Sequence, residues 1–348
     1  MTTVGGDLRF RYGAARPADY TDYVTGDGPF TVRLPYWKSR SVIGAVFVQQ
    51  VLRLHERVAA NLGARFDADS LFGVRLSPRA ALIFSPTDRS TLRLGYSEAF
   101  RAPSAQELND SDPTYTIQPE RLNAETVRTA DVEFAQRFSR GSFSLRVFGS
   151  IYEDLVVQRY ATQAEFDAAL MRGQLVPNAE ASGASVWANS DVIRAVGGTV
   201  SARGELVEGL DLAMNLTLAF NELRGAGRLP ILPAFYGNAR IAYRFGEEGP
   251  TLGLVARFSS ARPAYLATDD GSAPLGTVSG LGELRLTASG PIAAVPGLHW
   301  RAFVNASLSR LQPYLYNLGP TAEDPNNTRA FQPNPRLFAF IGVHYDLP

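Results

Sequence analysis

The 348-residue sequence contains no cysteine, which excludes a disulfide framework and a cysteine–zinc cluster. Histidine is scarce. His55, His299 and His344 lie far apart in the chain, fit no metal-ligand spacing, and read as isolated structural or solvated residues. Neither sign of charge prevails: Lys+Arg and Asp+Glu both number 34, so the basic field that nucleic acid requires is missing. No stretch approaches the ~18 apolar residues of a membrane helix; the best run, 42–48, has seven residues and includes Gly44. A membrane β-strand needs only ~9–11 residues, half of them facing inward, so a mean hydropathy near zero remains compatible with lipid contact. Residues Met1 to Asp7 carry neither a basic segment nor an apolar one and do not form a leader peptide.

What is present is alternation at two scales. Within segments, apolar and polar residues alternate at period two, the signature of a strand with one face in a polar and one in an apolar surrounding. In 210–221, Leu210, Leu212, Met214, Leu216, Leu218 and Phe220 share one face, and Asp211, Asn215, Thr217 and Asn221 the other. Segments 58–67, 142–152, 235–245, 280–290 and 298–309 repeat the pattern, and 41–53, 76–85 and 191–206 follow it less regularly. Between segments, tight links (54–56, 86–89, 139–141, 207–209, 246–250, 291–297) alternate with mostly long ones (14–41, 68–74, 101–123, 158–190, 222–234, 263–279, 310–335). The result is about fourteen strands, an even number, with turns at one rim and large loops at the other, as in an outer-membrane barrel. A soluble sandwich also alternates, but it does not explain the one-sided loops or the aromatics at strand ends, Tyr96, Phe138, Tyr152, Phe245 and Trp300, which suit membrane-interface girdles. The fold class expected is all-β: an antiparallel transmembrane β-barrel, residues 1–348 forming a single domain. With the C-terminus placed on the periplasmic side, the long links are external.

One segment goes beyond architecture. Pro78 and Arg79 after Ser77, the strand 91–96, and Ala99, Phe100, Arg101, Ala102 and Pro103 followed by Glu107 and Leu108 resemble the barrel of TonB-dependent outer-membrane receptors. Leu122 and Glu125 are similar to that family's return strand, with Ala124 where the family often has proline. Gly342, Tyr345 and Leu347 resemble the C-terminal assembly signal of outer-membrane proteins, although Phe340 stands where a polar residue is usual and Leu347 and Pro348 replace a terminal aromatic. The resemblance implies energised uptake of a scarce, bulky nutrient: a ferric siderophore, cobalamin or a glycan, iron chelates being the commonest. It implies a 22-stranded barrel filled by an N-terminal plug that contacts TonB. With about fourteen strands and no visible plug, the chain is expected to be the C-terminal portion. Expected partners are outer-membrane lipid, the TonB complex through the missing plug, the barrel-assembly machinery at the last strand, and a metal chelate or other bulky ligand. The expected location is the bacterial outer membrane.

Candidate ligand contacts are Arg101 at the external mouth, because a guanidinium suits chelated anions, and loop aromatics that can stack on a siderophore or sugar: Tyr115, Tyr160, Trp187, Tyr236, Tyr265 and Tyr314. Arg101 and its neighbours also admit a plainer role, with Pro103 ending the strand and Phe100 at the interface. Residues 162–172 read as a short amphipathic helix that packs the largest loop. No histidine falls at the external rim beside a nucleophile, so no enzyme and no cofactor is expected. Two rivals stay open: a self-contained passive channel of about fourteen strands, and a structural or adhesive β-protein recognised through its loops.

Overall fold

The structure, a computed structural model, describes residues 1–15, 18–22, 30–34, 37–177, 179–224, 227–228, 233–247, 249–268, 271–278, 280–309 and 336–346. Fourteen strands follow one another in a single antiparallel path. They are β1 (Thr2–Ala15), β2 (Trp37–His55), β3 (Val58–Asp69), β4 (Gly73–Thr87), β5 (Ser90–Arg101), β6 (Glu125–Phe138) and β7 (Gly141–Glu153). The second half comprises β8 (Ile193–Val207), β9 (Leu210–Leu223), β10 (Phe235–Arg244), β11 (Thr251–Ser259), β12 (Gly282–Pro291), β13 (Leu298–Ser307) and β14 (Leu337–Tyr345). Each strand pairs with its chain neighbours, so the topology is an up-and-down meander. Among the described residues no pairing joins β1 to β14.

The two faces are inverted relative to a water-soluble sheet. Polar side chains on one face are buried: Asp67 is 5% exposed, Asp131 8% and Thr217 5%. Apolar side chains on the other stand open, with Val46 60%, Leu286 56% and Ile341 78% exposed. Because side chains alternate, one residue of slip would place every charge in the apolar medium, so the pattern fixes the register. The polar side is the crowded one, and lipid is the medium that suits the open apolar side.

Burying carboxylates on the polar face requires partners. Asp131 on β6 is held between Arg93 of β5 (2.6 Å) and Arg146 of β7 (3.3 Å). Gly95 makes room for this cluster: a Cβ there would meet Arg93 Nη2 and Asp131 Oδ1 at 2.8 Å. Asp67 takes Arg65 (2.8 Å), and Asp7 takes Arg9 (2.5 Å) and Arg65 (3.7 Å). Neutral groups pair across strands too: Thr199 with Thr217 (3.0 Å), Thr129 with Ser150 (2.8 Å) and Asn215 with Ser201 (3.0 Å). On the apolar face, charge returns only towards the loop end, where Arg128 meets Glu153 (2.7 Å) and Glu98 (3.6 Å) above the column Ala130, Val132, Phe134 and Phe138. That boundary marks the upper limit of the apolar band.

The tight links are hairpin turns as the sequence indicates; at 208–209 a glycine supplies the left-handed residue, Gly209 having φ +78°. Several details differ from the sequence reading. The link at 68–74 shrinks to a turn at 70–72, because β3 and β4 stay paired up to Asp69 and Gly73. The seventh strand covers the expected 142–152, but the link after it begins at Asp154 rather than at 158, because Asp154 adopts φ +58° and turns the chain. Tyr152 lies on the same face as buried Ser150, so it points away from lipid and is not part of a girdle; Tyr96, Phe138 and Trp300 do face outward. In the link read as 263–279, a two-stranded ribbon starts one residue earlier and joins Arg262–Thr268 to Gly271–Val278. A second ribbon, Ala18–Asp22 with Phe30–Leu34, stands in the first long link.

Candidate functional site

At the loop end, two links fold together into one cap. It contains α1 (Ala105–Asn109), α2 (Gln163–Met171) and a small three-stranded sheet in which Ser185–Asn189 pairs with both Val156–Tyr160 and Thr116–Ile117. The cap holds the one apolar core cluster found among the described residues: Ile117, Phe166, Ala169, Leu175, Ala184 and Val186, with Ala169 and Ala184 fully buried. The alanine-rich helix α2 turns Phe166 and Ala169 into that core, so the expected helix at 162–172 packs the loop. Its N-terminus is a capping box between Thr162 and Glu165, and Glu165 also pairs with Arg159 (2.7 Å). The Arg159 bonds, against the opposing effect of burial, and the Thr162 backbone N–H hold the Glu165 carboxyl down at about 2.

The two links are cross-tied by polar side chains. Trp187 Nε1 donates to Asp110 Oδ2 (2.8 Å), so this candidate ligand contact is engaged in holding the cap. Asn189 accepts from the Asn123 backbone N–H (2.7 Å) and donates to the Asp154 carbonyl (2.6 Å). Arg172 pairs with Glu120 (2.7 Å).

Arg101, at the end of β5, fastens the cap to the wall. Its Nη1 and Nη2 each donate to Glu107 (3.0 Å), and its Nε (2.6 Å) and Nη2 (2.5 Å) donate to Glu125. Glu125 also accepts from the Val156 backbone N–H (2.8 Å), and Glu107 from that of Ser104 (2.6 Å), which closes the capping box of α1. Burial alone would raise the Glu107 carboxyl, but bonds from Arg101 and Ser104 outweigh it and leave Glu107 below the usual range. The motif residues Arg101, Glu107 and Glu125 thus form one clasp in which a single cation serves two carboxylates, a different engagement from the open anion contact the sequence suggested. Pro103 and Leu122 are buried. Pro78 and Phe100 lie on the apolar face, and Arg79 and Ala99 on the polar one, where Arg79 donates to Gln49.

Beside the clasp, the polar face forms a groove of about 770 Å³ lined by Arg9, Arg11, Arg65, Arg75, Arg79 and Arg101, with Asp67 and Asp69. A smaller cavity of about 390 Å³ under the cap shares Phe72 and Arg75 with it and adds Leu108, Arg121 and Leu122. Tyr236 also faces the polar side at the loop end, while Tyr115 is exposed on the cap and Tyr160 half-buried within it. The side chains of Tyr265 and Tyr314, and Leu347, lie outside the described residues. At the turn end, Gly342 faces inward and Tyr345 outward on β14. The register sets His299 directly opposite His344 with stacked rings 5.1 Å apart, so two residues distant in sequence are neighbours in space. Among the described residues no group of three candidate ligands could hold a metal ion.

The family model for the TonB-dependent receptor-like β-barrel matches residues 2–337. The chain belongs to the TonB-dependent receptor family. None of the curated proteins matches this receptor barrel in sequence. Among solved structures, a mutant of the ferric enterobactin receptor of Pseudomonas aeruginosa superposes with a TM-score of 0.67 at 17% identity, covering 88% of this chain and 46% of that one. The siderophore receptor PirA from Acinetobacter baumannii gives 0.65 at 16%, covering 88% and 46%, and the copper transporter OprC 0.63 at 14%, covering 87% and 48%. The likeness is one of fold. The receptor barrel described here spans about half the length of these structures.

Proposed function

We propose that this chain forms wall, mouth and loop cap of an outer-membrane receptor that takes up a scarce, bulky nutrient, a ferric siderophore, with energy delivered through TonB acting on a lumen-filling plug. The observation that carries the reading is the combination of an inside-out wall with a prefolded cap set over an arginine-lined groove at one end. A wall of this kind spans an outer membrane. A rigid cap above a concave polar groove suits capture of a large solute more than free diffusion of small ones. Of the structures it resembles, one is a ferric enterobactin receptor, one a siderophore receptor and one a copper transporter. Tyr115 and Tyr236 are the exposed aromatics placed to touch ligand at the mouth, whereas Arg101 and Trp187 hold the cap. The last strand, β14, would be the segment recognised during barrel assembly, and the apolar band the surface in contact with lipid.

The test is deletion of the intact gene in its host, followed by accumulation assays with labelled ferric siderophores, cobalamin and oligosaccharides. Loss of accumulation of one or more ferric siderophores, restored by the intact gene, supports the reading. Undiminished iron-chelate uptake with loss of another solute would reassign the substrate, and no change in any uptake would remove the receptor function.

A further inference from the structure

Two carboxylates occupy the Arg101 guanidinium, so the clasp of Arg101, Glu107 and Glu125 carries net negative charge and repels an anion. The neighbouring arginines differ in this respect. We infer that the anion-reading residue of the mouth is Arg75, with Arg79 on the same strand face, and that the ligand is a bulky, oxygen-rich anion rather than a neutral or cationic solute. This inference rests on the reading of the chain as a nutrient receptor.

Arg75 lies on the polar face of β4, just past the three-residue turn at 70–72. It lines both the groove and the cavity under the cap, so it stands where the two meet. Its Nε is enclosed and has no hydrogen-bond partner, a costly state for a charged donor unless something fills it. The carboxylates that line the groove do not pair with Arg75. Asp67 sits directly opposite Arg75 in the register, yet both its oxygens accept from Arg65 Nε (3.0 and 2.9 Å). Asp69, which lines the same groove, accepts only from the neutral donors Ser41 Oγ (3.2 Å) and the Leu71 backbone N–H (2.8 Å) and keeps its charge, against six arginines along that groove. Arg79 donates to the neutral Gln49 amide and so keeps its charge uncompensated. Among the described residues no carboxylate lies within ion-pair distance of Arg75 or Arg79.

The spacing gives the size of the ligand. Residues four apart on one strand face are separated by about 13 Å. A small anion reaches one guanidinium; a ligand that meets both Arg75 and Arg79 must span the groove. The planar fork of each guanidinium matches paired oxygens, as a chelate rim presents them. Phe72, shared by both cavities, adds an apolar wall beside Arg75.

The experiment uses the intact gene product in proteoliposomes and two probes that share a metal: a ferric tris-catecholate, which is an anion, and a ferric tris-hydroxamate, which is neutral. The unaltered protein is expected to prefer the anion. Arg75→Gln should weaken the anion about tenfold or more and leave the neutral chelate unchanged. Arg79→Gln should have a smaller effect in the same direction, and Arg75→Lys should recover part of the loss, because it keeps the charge without the fork. Arg128→Gln, on the lipid-facing side, is the control for assembly. If Arg75→Gln does not assemble, the Arg75→Lys comparison and the salt dependence of anion binding carry the test. Equal binding of the anion by Arg75→Gln and the unaltered protein, or a preference for the neutral chelate, would overturn the role of Arg75 while the receptor reading stands. Binding of neither chelate would overturn both.

Discussion

The clasp at Arg101 makes a local, measurable commitment. Replacing Arg101 by Gln removes four N–H donations to two carboxylates whose side chains are only 13% and 14% exposed. Hydrogen bonds to charged groups contribute about 1.5–3 kcal/mol when buried, and exposed ion pairs about 0.2–1 kcal/mol. The Arg101 side chain is itself 46% exposed, so the solvent-screened value lies between these limits. About 2 kcal/mol for the whole clasp is a reasonable figure, equivalent to roughly a 30-fold rise in local opening. The readout is amide hydrogen exchange. The Val156 amide, which donates to Glu125, and the Ser104 amide, which donates to Glu107, should exchange roughly 30-fold faster. Amides in the middle of β6 and β7 should keep their protection, since the sheet ladder is untouched. Unchanged exchange at Val156, or equal loss of protection in the wall, would refute the reasoning.

Three further outcomes follow from the same structure. Glu165 is held at about 2 against an ordinary value near 4.5, so it lends the cap stability that is complete above about 4.5 and disappears as the pH falls towards about 2; exchange in α2 should accelerate across that window, and Thr162→Ala, which breaks the capping box, should raise exchange in α2 at neutral pH by about fivefold for a loss of about 1 kcal/mol. Phe166→Ala opens a cavity in the cap core at a cost of about 3–5 kcal/mol, so protease sensitivity should appear within 101–125 and 153–193 while the wall remains folded. Val132→Arg places a charge on the lipid-facing column of β6 and should cost about 2–4 kcal/mol near the bilayer midplane, seen as loss of the heat-modifiable folded band on gels, whereas Ala135→Arg on the polar face of the same strand should assemble.

Much of the wall was legible in the sequence because lipid imposes a strict rule. Every second residue of a barrel strand faces hydrocarbon, so Leu210 to Phe220 could be assigned to one face without knowing what paired with them. The tight turns were legible for a related reason: a two-residue hairpin needs a left-handed residue, and Gly209 supplies it. The cap was not legible. Its core joins Ile117 to Phe166 and Val186 across two separate links, and neither link shows a period of its own. The motif around Arg101 was visible as a pattern, but its partners lie 6 and 24 residues away in the chain, and only folding shows that Glu107 and Glu125 converge on it. Arg75 does not stand out in the sequence, because an arginine in an alternating strand is ordinary; the only signal is that Arg75 and Arg79 share a face beside the shortest of the loop-end links. Likewise, His299 and His344 become neighbours through register alone, which spacing in sequence does not reveal.

The central claim is that this wall belongs to an energised receptor and not to a passive pore. The direct measurement is accumulation of a labelled ferric siderophore by cells carrying the intact gene, before and after a protonophore collapses the inner-membrane gradient. The account predicts saturable accumulation that stops when the gradient collapses, with surface binding preserved. Accumulation that continues without the gradient, in proportion to external concentration, would contradict it.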